Sequence, residues 1–274
     1  MTQHQHTGKV ILAGAGPGDP ELITLKAVRY LRLADVIVTD RLVSESILEQ
    51  YAKKDALILH AGKQSRKGDS TPQSVINELL VEYALQGKLV VRLKGGDVSV
   101  FSNILDELQV LLQYQIPYEI IPGVTAALGA AAYAGIPLTA RNYANALRLL
   151  TYYKTDLFSD DYWKELAATA DTLVFYMSSG TLDVLVERLL HFGTGNDKFI
   201  SVIEQATTPM QQVSTASLHD YAKKFAGNCY LSPTLVIVGR VAALQEQFQW
   251  LPNNDQKKHY FQPVEKNKKR EARA

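Results

Sequence analysis

The sequence predicts an α/β protein of two halves, the first built on a parallel sheet and the second on a mixed one. Three observations predict it. Short apolar runs alternate with helical periodicity from residue 10 to residue 121. Glycine-rich or charged turns follow those runs repeatedly. The later strands include a hairpin around residues 213–217, which a purely parallel sheet does not accommodate.

Val10-Ile11-Leu12-Ala13 is the first strand, stopped by Gly14-Ala15-Gly16-Pro17-Gly18-Asp19-Pro20. Leu25, Val28 and Leu31 recur at helical spacing within a helix over 22–34. Val36-Ile37-Val38-Thr39 is a strand ending at Asp40, and residues 44–51 form a short helix. Residues 56–59 are a strand leading to His60-Ala61-Gly62-Lys63, and residues 64–71 are a polar loop. A helix over 72–86 carries Val75, Leu79 and Tyr83 on one side. A strand over 88–93 runs into Lys94-Gly95-Gly96-Asp97, and a helix over 104–113 and a strand over 118–121 complete the half.

Pro122-Gly123 breaks the alternation, and an alanine-rich helix follows over 125–134. Its small residues suit close approach by a flat ligand or tight helix packing. The second half reads as strand 147–151, helix 163–168, strand 172–177, helix 181–191, strand 199–203, the hairpin and strand 234–238. The domain expectation is a flexible arm over 1–8, an α/β domain over 9–121, a second over 122–246 and a polar, flexible tail over 247–274.

A net charge of +1 gives no bulk attraction to nucleic acid or membrane. No apolar run reaches spanning length, and residues 1–9 lack the apolar core of a secretory leader. One cysteine, Cys229, excludes a disulfide within the chain and reads as an apolar filler near a strand. Cytoplasm is the expected compartment. The histidines and the cysteine show no metal-ligand spacing, so no metal is expected.

In open parallel sheets the ligand lies beyond the carboxyl ends of the strands. The turns at 14–19, 40–41, 62–63 and 95–97 therefore share one expected active face. The first turn resembles a dinucleotide fingerprint but carries Asp19 where the third glycine belongs. An NAD(P)-binding dehydrogenase is thus the reading from a different class, with that position against it. Asp40 and Lys63 are of the types that accept and donate protons, and equally of the types that pair on a surface.

Several segments together resemble the tetrapyrrole methylase family. They are Gly14-Ala15-Gly16-Pro17-Gly18-Asp19-Pro20-Glu21-Leu22, Asp40-Arg41-Leu42-Val43-Ser44, Arg92-Leu93-Lys94-Gly95-Gly96-Asp97, Pro122-Gly123-Val124-Thr125-Ala126-Ala127, Ala134-Gly135-Ile136-Pro137-Leu138-Thr139, Phe175-Tyr176-Met177 and Thr207-Thr208-Pro209 with Gln211. The likeness covers residues 9–243 and is strongest to the branch that methylates uroporphyrinogen III. It implies two α/β domains with the active site in the cleft between them, a homodimer, and S-adenosyl-L-methionine as methyl donor, leaving as S-adenosyl-L-homocysteine. By position it places Pro17, Gly95, Gly96, Asp97, Val100, Thr125, Ala126, Tyr176, Met177 and Ala206 around the cofactor. Ala206 stands where the family usually has glycine. Asp40 matches the proton acceptor and Lys63 the donor; Arg41, Leu42, Phe101 and Arg141 match substrate contacts. Because the tetrapyrrole carries many carboxylates, Lys94, Arg148 and Lys154 join Arg41, Lys63 and Arg141 as candidate cations.

The segment from Val98 to Asp106 departs from the family. A glycine-rich turn with an arginine is replaced by a helix start, with Ser102 or Asn103 as cap. Tyr152 and Tyr153 replace a Gly-His pair, and such rings either stack on a macrocycle or pack. These changes leave open a methylase of a later corrinoid precursor, or a weakly active or non-catalytic member.

Overall fold

The structure, a computed structural model, describes residues 7–61 and 72–261. The described chain divides into two compact units, residues 126–260 forming the second.

The first unit holds β1 (Lys9–Gly14), α1 (Leu25–Leu31), β2 (Val36–Asp40), α2 (Glu45–Tyr51), β3 (Leu57–Ala61), α3 (Gln73–Leu85), β4 (Leu89–Lys94), α4 (Ile104–Gln113) and β5 (Tyr118–Ile121). The strand order is β3-β2-β4-β1-β5 and every pairing is parallel. Successive side chains of a strand face opposite sides. Ile11 and Ala13 therefore join Ala27, Leu31 and Ile47, whereas Val10 and Leu12 join Ile76, Leu80 and Leu111. Covering both faces is why these strands read as unbroken apolar runs.

The helix expected over 22–34 begins at Leu25. Thr24 Oγ1 accepts from the Ala27 N–H at 3.3 Å and caps it. A separate 3-10 turn, Pro20–Leu22, is capped by Asp19, whose Oδ1 accepts from the Glu21 N–H at 2.8 Å. The residue that breaks the dinucleotide fingerprint thus has its own local work.

The second unit holds α5 (Ala126–Ala134), β6 (Leu147–Thr151), α6 (Asp160–Ala168), β7 (Thr172–Tyr176), α7 (Leu182–His191), β8 (Phe199–Glu204), β9 (Gln212–Ser217), α8 (Tyr221–Lys224), β10 (Thr234–Gly239) and α9 (Gln245–Phe248). Its sheet order is β6-β7-β10-β8-β9. β6 and β7 are parallel, and β10 runs antiparallel to β7 and β8, as β9 does to β8. The mixed character is as expected, with Leu173, Phe175 and Val236 under α6 and α7, and Val174, Leu235 and Ile237 under α5.

Two open alternatives are decided here, both for packing, and two expectations change. The small residues Ala127, Ala130, Ala131 and Ala134 are buried in helix packing. Tyr152 is also core, its ring 5.1 Å from Trp163 and 5.4 Å from Phe158. Cys229 is exposed rather than a filler, because its neighbourhood is a loop. The segment expected as a flexible tail from residue 247 is, as far as Tyr260, bonded to the second unit. Trp250 Nε1 donates to the Ala132 carbonyl at 2.8 Å, and Asn253 pairs with both backbone groups of Val213. Its side chains look solvated in sequence, but they bond to backbone. Residues beyond Phe261 lie outside the described ones.

Candidate functional site

Parallel register places the turns after β1 and β4 side by side, with Gly14 opposite Lys94. The Ala15 N–H donates to the Lys94 carbonyl at 2.8 Å, and Gly16 and Gly96 exchange two backbone bonds of 3.1 and 2.7 Å. Both have φ values only glycine adopts freely, +81° and +71°. The chain after β5 closes on the same spot. A Cβ on Gly14 would lie 2.6 Å from the Gly96 carbonyl and 2.7 Å from Gly123 Cα. On the other side, a Cβ on Gly95 would lie 2.8 Å from Leu42 Cβ. Four turns therefore meet where only bare backbone fits. Gly123→Ala, whose Cβ meets the Gly96 carbonyl, is expected to destabilise the first unit by about 1–3 kcal/mol, as overpacking does. The urea midpoint measures it, and an unchanged midpoint would disprove the close meeting.

Asp97 ties these turns together. Its Oδ1 accepts from the Ser99 N–H at 2.8 Å and from the Ser99 hydroxyl, and Oδ2 accepts from the Gly123 N–H at 2.8 Å. Burial pushes this carboxyl up, but the bonds from Ser99, Gly123 and Val100 outweigh it and hold the group below its ordinary value. A depressed carboxylate contributes stability that is complete above its unfolded pKa, about 4, and lost as pH falls through the lower folded value. Acid unfolding between about pH 4 and that lower value should therefore flatten in Asp97→Asn, as circular dichroism against pH would show. An unchanged acid limb would refute the linkage.

Asp40 ends β2 half-buried, its Oδ1 accepting from the Leu42 N–H at 3.0 Å. Behind it lies an ionic cluster that the sequence reading missed. Glu107 is fully buried, accepting from Arg92 Nε at 2.9 Å and from Lys94 Nζ at 3.1 and 3.0 Å. Arg92 also donates to the Val38 and Leu93 carbonyls, and its Nη2 stands 3.9 Å from Asp40 Oδ2. Burial, then the Arg92 charge, pushes the Lys94 ammonium below its ordinary value, against the pull of Glu107. Lys94, expected as a cation for substrate, is thus consumed inside the fold. A signal did exist: Glu107 shares the α4 stripe with Ile104, Leu108 and Leu111, and a charge on an apolar stripe calls for a buried partner.

Around this edge, Pro17 is buried, and Gly95, Gly96, Val100, Arg41 and Leu42 are partly exposed. Burial holds the Arg41 guanidinium below its ordinary value, against the pull of Asp40. Phe101 is exposed, with a left-handed φ of +53°. The helix α4 starts where expected, but Asn103 makes no backbone cap bond. Its amide donates to Asp106 at 2.9 Å, while Ser102 turns back to the Val98 carbonyl. Thr125, partly exposed, closes the first unit. Lys63 lies outside the described residues.

In the second unit the Tyr176 hydroxyl accepts from the Ala127 N–H at 2.9 Å and so caps α5, beside Ala126. Met177 follows with φ +56° and is half exposed. Ala206 is 8% exposed, between Gln205 and Thr207, both with positive φ. Arg141 is exposed. Arg148 is not a spare cation: it pairs with Asp171 at 2.7 Å and with Glu165. Lys154 Nζ lies 5.7 Å from the centre of the exposed Tyr153 ring.

A parallel sheet with four backbone turns converging at its carboxyl edge, joined in sequence to a mixed sheet, defines an α/β protein of two units, and its first turn carries neither the Walker nor the full dinucleotide pattern. Comparison with known proteins narrows this. The family described as Tetrapyrrole (Corrin/Porphyrin) Methylases matches residues 9–222, and the chain belongs to that family. The siroheme synthase of Acinetobacter baylyi is 46% identical over 244 residues, 89% of this chain and 53% of that protein. The chain spans about half the length of the curated relatives it matches. Among solved structures, uroporphyrin-III-C-methyltransferase from Thermus thermophilus is 33% identical, covering 91% of this chain and 99% of that one, with a TM-score of 0.73. The same enzyme complexed with S-adenyl homocysteine is 34% identical over 86% of this chain and 100% of that one, with a TM-score of 0.72.

Proposed function

We propose that this chain transfers methyl groups from S-adenosyl-L-methionine to carbon atoms of uroporphyrinogen III, giving precorrin-2 by way of precorrin-1 for sirohaem or cobalamin. The observation that carries the reading is the meeting of residues 14–16, 95–97 and 123 at one sheet edge, with Asp97 fixed behind them. The residues fit the donor: partly exposed glycines at 95 and 96 let main chain approach a nucleoside, and Met177 supplies an exposed apolar surface. The names of the matched relatives support the same reading. From the first unit we assign Pro17, Gly95, Gly96, Asp97, Val100 and Thr125 to the cofactor, with Asp97 holding the turn. From the second we assign Ala126, Tyr176, Met177 and Ala206, with Tyr176 setting the start of α5.

A sulfonium methyl is electrophilic as it stands, so the protein has to align the pyrrole carbon with it and manage protons. Asp40 is the assigned proton acceptor and Lys63 the donor. Arg41, Leu42, Phe101 and Arg141 are assigned to the tetrapyrrole. A homodimer in the cytoplasm completes the proposal. Among the described residues no helix is long and apolar enough to cross a membrane. The altered segment ahead of α4 favours one second reading, a later corrinoid precursor as substrate.

Incubation with uroporphyrinogen III and labelled donor, followed by mass analysis, tests the reaction: two added methyl groups are expected. No addition to it, with addition to a precorrin, would move the substrate to the second reading. Calorimetry should give saturable S-adenosylhomocysteine binding and none for NAD(P)H; the reverse would overturn the class.

A further inference from the structure

The loop after β8 is built in an unusual way. Gln205 and Thr207 have φ values of +47° and +64°, uncommon for any side chain and least suited to a β-branched one. Such backbone persists only where its surroundings hold it. Some of the hold is internal: the Thr207 N–H donates to Gln211 Oε1 at 2.8 Å, and Thr208 Oγ1 donates to the Gln205 carbonyl at 2.7 Å. Two bonds tie the loop to nearer parts of the unit, from the Gln205 N–H to the Pro233 carbonyl at 2.8 Å and from Gln211 Nε2 to the Tyr133 carbonyl at 3.2 Å, and a further set comes from residues 253–260, far along the chain. Gln205 is 1% exposed, and both ends of its carboxamide are taken. Nε2 donates to the Lys258 carbonyl at 2.8 Å, and Oε1 accepts from the Tyr260 N–H at 2.6 Å. Asn254 Nδ2 donates to the Pro209 carbonyl at 2.6 Å, and the Asn254 N–H donates to the Gln211 carbonyl at 3.3 Å. Asn253 anchors the same segment to β9 through Val213.

We infer that residues 253–260 are a brace that sets the loop carrying Ala206, and that Gln205 and Asn254 are positioning residues for binding of the methyl donor. The inference rests on the proposed assignment of Ala206 to the donor. Ala206 lies between the two left-handed residues, so its backbone direction is decided by theirs. The brace grips that loop at three points, Gln205, Pro209 and Gln211. It lies beyond residue 222, where the match to the family ends. If residues 253–260 only stabilised the unit, losing a bond would lower the melting temperature without moving donor affinity.

The test compares the full chain with Gln205→Glu, which loses the amide donor to Lys258, and with Asn254→Ala, which loses the donor to Pro209. Lys198→Met serves as control: Lys198 donates to the Ala167 and Thr169 carbonyls, on another part of the same unit. Each is measured for S-adenosylhomocysteine affinity by calorimetry, KM for donor and for tetrapyrrole, and Tm. Both brace variants are expected to weaken donor binding by about fivefold, the scale of one net hydrogen bond. KM for donor rises in step, and KM for tetrapyrrole stays put. Lys198→Met is expected to lower Tm alone. Unchanged donor affinity in folded brace variants, or an equal loss in Lys198→Met, overturns the brace and leaves the functional reading intact. If either brace variant fails to fold, the other carries the comparison. Absence of S-adenosylhomocysteine binding by the unaltered chain overturns the functional reading, and the brace's role with it.

Discussion

Replacing Asp40 by alanine is expected to lower kcat by about 10²–10⁴-fold, the range over which positioned acid–base groups act, while S-adenosylhomocysteine affinity stays unchanged. The carboxylate closes β2 at the edge where the glycine turns meet, and 29% of its side chain reaches solvent. It is aimed from two sides. The Leu42 N–H fixes Oδ1, and Arg92 faces Oδ2 from a buried position at 3.9 Å. Asp40→Asn separates charge from geometry, because an amide oxygen can still accept from Leu42. If the proton role is right, asparagine should be nearly as damaging as alanine. Near-normal turnover in Asp40→Asn would mean that Asp40 merely shapes the turn.

The second large effect is on stability. Glu107→Ala is expected to cost the first unit about 3–5 kcal/mol, because it strands the Arg92 and Lys94 charges inside the protein with only the more distant, partly exposed Asp40 as counter-charge. Whole domains are stable by only about 5–15 kcal/mol, so the variant should populate unfolded protein in mild denaturant. The intact cluster is not therefore a source of strength. Ion pairs of this kind often do no better than apolar side chains of similar volume. The triple change Glu107→Leu, Arg92→Met and Lys94→Met should recover most of the loss. A urea titration of both variants measures this. A mild Glu107→Ala would mean that water or Asp40 neutralises the cluster instead.

Much of the fold was legible because it rests on short-range patterns. Short apolar runs, with the hairpin signal at residues 213–217, located the ten strands of the described residues, and the central ones, covered on both faces, carry no polar alternation. The helix boundaries shifted by a few residues, later at Thr24 and earlier at Ser159, where a hydroxyl cap and not the apolar pattern sets the first turn. The Val98 to Glu107 segment shows the limit. Its helix start was readable, but Glu107 as the keystone of a buried cluster was not among the expected site residues.

By itself, then, the sequence determined the two sheets, the shared carboxyl edge of the first and the family to which the chain belongs. Tertiary structure alone decided what the polar side chains there do. Asp97 holds a turn, Lys94 and Arg148 answer carboxylates, and Asn254 and Gln205 bind a loop to a distant segment. The reason is range. Apolar periodicity is written in neighbouring residues, whereas a polar group's role depends on partners 13 to 53 positions away. Only the packed chain brings those partners to hydrogen-bonding distance.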